Sequence, residues 1–180
     1  DFSLNEQVNS IILNKRFFPL VMYPGNGSTE ISSLRKESIE KFINFRKIPV
    51  IFLIDASWSL AKKLMRLSKN LQNLPRVYVE PKRRSAYRIR LQPDPLCLST
   101  LEAAYSLLEI LKNKRLIEIE PKGSHRNLLR VFNDMVERQL SFAKDNKGDG
   151  YRKTLPKHLR GIKPSKKWEK RPLFYNSGGE

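Results

Sequence analysis

Apolar and polar positions follow two different periods along this chain, and the changes of period outline an α/β fold. Phe2, Leu4, Val8, Ile11 and Ile12 recur at helical spacing and predict an amphipathic helix ending near Asn14. Phe17 to Tyr23 reads as a short strand, closed by the turn-forming run Pro24-Gly25-Asn26-Gly27. Between Ser32 and Phe45, Leu34, Ile39, Phe42 and Ile43 share one side with charges between them, so a surface helix leads up to a boundary at Pro49. Val50-Ile51-Phe52-Leu53-Ile54 is unbroken apolar sequence dominated by β-branched and aromatic residues. Such a run predicts a strand buried on both faces, which belongs to a parallel sheet covered by helices.

That run stops at Asp55. Ala61, Leu64, Met65 and Ser68 then return to helical spacing, so Asp55-Ala56-Ser57-Trp58 is a strand-to-helix turn at the carboxyl end of a strand, where open α/β sheets hold their ligands. The plainer reading is an N-cap and a packed Trp. Leu74-Pro75 ends the connection, and Arg76 to Glu80 reads as another strand. The next ten residues carry five cations, Lys82, Arg83, Arg84, Arg88 and Arg90, around Tyr87. A solvated loop explains them as well as a phosphate-contacting loop in which Tyr87 stacks.

Two prolines make Leu91 to Leu98 irregular. Ser99 with Glu102, ahead of Ala103, Ala104, Leu107, Leu108 and Leu111, is a capping box opening an apolar helix. Ser124 to Lys144 is the last core helix, with Leu128, Leu129, Phe132, Met135, Val136, Leu140 and Phe142 mostly on one stripe. Asp145 to Gly150 breaks the pattern. From Tyr151 to Arg171 nine Lys or Arg face a single acid, Glu169. Trp168 lies among them, which suits an arm that tracks phosphates and stacks on bases, or a solubilising tail.

The whole chain has 35 Lys plus Arg against 18 Asp plus Glu, a net charge of +17, and nucleic acid is the commonest partner of so basic a protein. No apolar run approaches the roughly 18 residues that cross a bilayer. A single cysteine, Cys97, rules out an internal disulfide and points to a reducing cytoplasm. With only His125 and His158 beside it, no metal site is expected.

Taken in order, the motifs become specific. A strand ending in Asp55-x-Ser57-Trp58 with Ala61 three residues on, then Leu74-Pro75-Arg76-Val77, Tyr87-Arg88-Ile89-Arg90 and Leu98-Ser99-Thr100-Leu101-Glu102-Ala103, closely resembles the DTW-domain family, as does Tyr23-Pro24-Gly25 upstream. The likeness runs from about Leu20 to Leu140. The usual Asp-Gly-Thr-Trp is here Asp-Ala-Ser-Trp, a form that also resembles a related ribosomal-RNA enzyme. The cysteine-rich segment and first strand with which the family begins are not in this sequence, so it is expected to start partway through the family domain.

The resemblance implies a SPOUT-like α/β fold with a C-terminal trefoil knot, in a domain spanning 1–145; the basic tail, 146–180, is read from its composition and lies outside the likeness. It implies transfer of the 3-amino-3-carboxypropyl group of S-adenosylmethionine to N3 of a tRNA uridine, giving acp3U and methylthioadenosine. Asp55, Ser57 and Trp58 would carry the chemistry. Tyr23, Pro24, Gly25, Leu53 and Asp55, with Leu96, Cys97, Leu98, Ser99, Thr100 and Glu102, would hold the cofactor. The RNA surface would comprise Lys82, Arg83, Arg84, Tyr87, Arg88, Arg90, Lys163, Lys166, Lys167 and Trp168. Two alternatives keep the same charge: a noncatalytic RNA-binding or ribosome-associated protein, and the same transfer on ribosomal RNA.

Overall fold

The computed structural model describes residues 1–89, 94 and 96–145. Arg90 and the tail residues Lys163, Lys166, Lys167 and Trp168 lie outside them. The described residues divide into two compact units, one of Asp1–Glu80 with Ser106–Glu118, the other of Pro81–Tyr105 with 119–145.

The first unit contains α1 (Glu6–Leu13), β1 (Phe17–Met22), β2 (Ser28–Glu30), α2 (Lys36–Phe42), β3 (Ile48–Leu53), α3 (Trp58–Leu67), α4 (Lys69–Gln72) and β4 (Arg76–Tyr78), with the later turns of α5 (Thr100–Asn113). α6 (Arg126–Asp145) belongs to the second. The strands form one sheet in the order β2-β4-β1-β3, every pair parallel.

Adjacent residues of a strand point to opposite faces, and β1 uses both. Leu20 joins Ile31, Ile39, Ile43, Val77, Leu107 and Leu111 in one buried cluster. Val21 joins Tyr23, Ala61, Met65 and Leu71 in the other. Helices therefore cover the sheet on both sides, and each fully buried aliphatic side chain contributes roughly 1.5–3 kcal/mol. Of the predicted stripe, Ala61 and Met65 are buried in α3 and Ser68 at its C-cap, while Leu64 is only half-buried.

The apolar run is half right. Ile51 and Phe52 pack on opposite clusters, so β3 is covered on both faces. It is nevertheless an edge of the described sheet, paired with β1 alone, and its residues are at best half-buried. Hydrophobic continuity reports what lies above and below a strand, not what lies beside it. Pro49 falls inside β3 rather than marking its start. The Ile48 N–H donates to Arg16 O at 2.9 Å, toward β1, so the position of Pro49, one residue on, faces the outer edge where no donor is required. The same alternation puts Pro19 on the β4 side of β1, below Val21 and Met22, the stretch that β4 pairs with.

Other boundaries shift for local reasons. α2 is shorter than the predicted Ser32–Phe45, and β2 has no apolar signal at all. Phe142, assigned to the α6 core stripe, is 61% exposed, while Phe132 and Val136 carry the burial.

Glu30, the last residue of β2, fastens the turn that follows. Its carboxylate accepts from the Ser32 N–H at 2.7 Å, the Ser32 hydroxyl and the Ser33 N–H at 2.8 Å. Burial disfavours the charge, but together these hydrogen bonds outweigh it and lower the pKa from 4.5 to about 2. A folded-state value below the unfolded one means that the contribution is complete above about pH 4.5 and disappears as pH falls toward 2. Solvent screening reduces it to about 1 kcal/mol. Urea unfolding across that window should show Glu30→Gln less acid-sensitive than the parent; identical slopes would remove Glu30 from the acid response.

Candidate active site

Parallel strands deliver all their carboxyl ends to one edge of the sheet. Met22 and Leu53 are in register on β1 and β3, so Tyr23-Pro24-Gly25 leaves the edge beside Ile54-Asp55. The structure thus brings together two of the motifs separated by some thirty residues of sequence. Tyr23 is buried, and its N–H donates to Val77 O at 3.0 Å.

The connection from β1 to β2 is only five residues long although it must pass β4. Glycine makes that path possible: Gly25 has φ +132° and Gly27 φ +76°, both in the region that L side chains avoid. Arg76, buried on β4, donates through Nη2 to Asn26 O at 2.6 Å, and a Cβ on Gly27 would stand 3.3 Å from that nitrogen. Arg76 therefore fixes the Tyr-Pro-Gly loop. Sequence reasoning noted it only as part of a motif; a cation opening an otherwise apolar strand was the available signal.

Asp55 is exposed, two residues beyond β3. Ser57 occupies the N-cap position of α3 but makes no capping hydrogen bond through its side chain, and its Oγ lies 3.4 Å from Ser59 Oγ. The plain capping role is thus not what the Ser57 hydroxyl performs. Trp58 opens α3 half-buried, and Leu53 is exposed at the strand end.

In the second unit, Asp94 shapes the turn before α5. Its Oδ1 accepts from the Leu96 N–H at 2.7 Å and its carbonyl from the Cys97 N–H at 2.9 Å. Cys97 is buried, and that burial pushes its thiol pKa up, as befits a packing residue. Ser99 and Glu102 form the predicted capping box: the Ser99 N–H and Oγ both donate to Glu102 Oε2, at 2.8 and 2.7 Å, and the Glu102 N–H reaches back to Ser99 Oγ at 3.3 Å.

Glu102 has a second function that the motif did not reveal. Ser85 Oγ donates to its Oε2 at 2.6 Å and the Ala86 N–H to its Oε1 at 2.7 Å. Beyond that point Tyr87 packs edge-on against Phe132 of α6, with ring centroids 5.4 Å apart, and Arg88 pairs with Glu137. Lys82, Arg83 and Arg84 are exposed. The basic segment is therefore moored along one half and presents cations along the other. Among the described residues no group of three or more His, Cys, Asp or Glu could hold a metal ion, and no helix is long and apolar enough to cross a membrane.

Compared with known families, residues 1–140 match the DTW domain. This chain belongs to the DTW family. It is similar to tRNA-uridine aminocarboxypropyltransferase 2 of Macaca fascicularis, 29% identical over 148 residues that make up 80% of this chain and 47% of that protein. The Mus musculus protein of the same name is 36% identical over 102 residues, 55% of this chain and 31% of that one. The DTW chain here thus spans less than half the length of these curated relatives. No solved structure matches it.

Proposed function

We propose that this chain transfers the 3-amino-3-carboxypropyl group of S-adenosylmethionine to N3 of a tRNA uridine in the cytoplasm. The observation that carries the reading is the pairing of Tyr23-Pro24-Gly25 with Asp55-x-Ser57-Trp58 at the carboxyl edge of a parallel sheet, in a DTW-family chain. Both relatives are named tRNA-uridine aminocarboxypropyltransferase 2, which favours tRNA over ribosomal RNA as substrate. The parallel sheet with strands out of sequence order supports a SPOUT-like class, and a C-terminal knot and a separate RNA-binding tail over 146–180 belong to the same proposal.

The residues present suit the cofactor. Gly25 turns without a side chain to obstruct a ligand, and the exposed Asp55 carboxylate is a natural neighbour for a sulfonium. Tyr23, Pro24, Gly25, Leu53 and Asp55 would hold it. Bound S-adenosylmethionine supplies an electrophilic methylene, and its carbon–sulfur bonding pair leaves with methylthioadenosine. Uridine N3 is protonated at neutral pH and is a poor nucleophile. Asp55 accepts that proton as the new N–C bond forms, Trp58 stacks on or walls the base, and Ser57 orients the Asp55 carboxylate.

Mass spectrometry of nucleosides from tRNA incubated with the protein and S-adenosylmethionine tests the proposal. The expected product is uridine bearing an aminocarboxypropyl group. A methylated nucleoside would make the chain a methyltransferase, and tRNA binding without any product would make it a noncatalytic RNA binder.

A further inference from the structure

We infer that Ser85 is a positioning residue for RNA, mooring the basic segment to Glu102 so that Lys82, Arg83 and Arg84 are held ready for consecutive phosphates. The inference rests on the proposed RNA-binding role of these cations, and it adds a residue that no motif includes.

Ser85 Oγ works in both directions. It donates to Glu102 Oε2 at 2.6 Å and accepts from the Tyr87 N–H at 3.0 Å, so one hydroxyl closes a tight turn and ties it to α5. The Ala86 N–H adds a second bond to the same carboxylate, and Glu102 as a residue is only 8% exposed. Hydrogen bonds to a shielded carboxylate are among the stronger ones a loop can make. The Tyr87 ring on Phe132 and the Arg88 pair with Glu137 fasten the next two residues to α6. Four successive residues, Ser85 to Arg88, are thereby fixed, while the three cations just before them stay exposed.

Fixing the backbone next to a cluster of exposed cations removes part of the ordering entropy that RNA binding would otherwise cost. A purely solvated loop needs no such mooring. Glu102 also bonds Ser99, so the same carboxylate that orders the start of α5 orders the RNA-facing segment.

The test compares the parent, Ser85→Ala, Ser85→Thr and the triple variant Lys82→Ala, Arg83→Ala, Arg84→Ala in tRNA binding over a salt series and in product formation. Ser85→Ala should raise Kd and KM for tRNA roughly three- to tenfold with kcat retained. Ser85→Thr, which keeps the hydroxyl, should restore both. The triple variant should flatten the salt slope by roughly 2 to 3. If the triple variant weakens binding but Ser85→Ala matches the parent, the positioning role is wrong while the RNA surface stands. Equal loss in Ser85→Ala and Ser85→Thr would also overturn it. If the triple variant leaves tRNA affinity and salt slope unchanged, the RNA-binding reading itself fails and the inference with it.

Discussion

Replacing Asp55 by Asn should slow methylthioadenosine release roughly 10²–10⁴-fold, the range in which a positioned general base contributes. Affinity for tRNA should survive, because under the proposed function it would come mainly from the basic surface. Folding should survive too, since Asp55 is exposed beyond the end of β3 and belongs to neither buried cluster. The combination is diagnostic: normal melting and normal RNA binding with lost chemistry assigns Asp55 to the reaction. A variant that modifies tRNA at the parental rate would show that the proton leaves N3 by another route.

Glu102→Ala should produce the larger effect on stability, a melting temperature lower by roughly 6–12 °C for a loss of about 3 kcal/mol. Four donors converge on this carboxylate, the Ser99 N–H and Oγ, Ser85 Oγ and the Ala86 N–H. Ala removes their acceptor and the capping box together, whereas Glu102→Gln keeps an acceptor oxygen and should fall between the two. Calorimetry of the three proteins measures the order. A drop under about 2 °C for the Ala variant would mean that water replaces the carboxylate at little cost.

The two clusters that flank the sheet were legible in the sequence because period fixes face. Leu20 and Val21, adjacent in β1, had to enter opposite cores, and Ala61 with Met65 had to lie on one stripe of α3. Strand order was not legible: nothing in Val50–Ile54 says that β3 pairs on one side only, or that Ser28–Glu30 pairs at all. At the candidate site, Asp55, Ser57 and Trp58 announced themselves by position, at a place where an apolar run breaks. Ser85 and Arg76 did not, because their partners, Glu102 and the Asn26 carbonyl, lie 17 and 50 residues away. Local pattern can show that a residue type is unusual, but it cannot show which distant group answers it.

Tyr87 illustrates the same limit from the other side. An aromatic between cations suggested a base-stacking platform, yet the ring already makes a T-shaped contact with Phe132 and is partly buried. Composition shows which residue types share this segment, not which of them a neighbouring helix already engages.

Amide hydrogen exchange with and without methylthioadenosine tests the central claim most directly. Slowed exchange is expected in residues 23–25 and 53–58, with the moored segment 85–88 unchanged in the absence of RNA. Unaltered exchange at 53–58 under saturating ligand would contradict it, because Asp55 would then stand away from the cofactor on which its role depends.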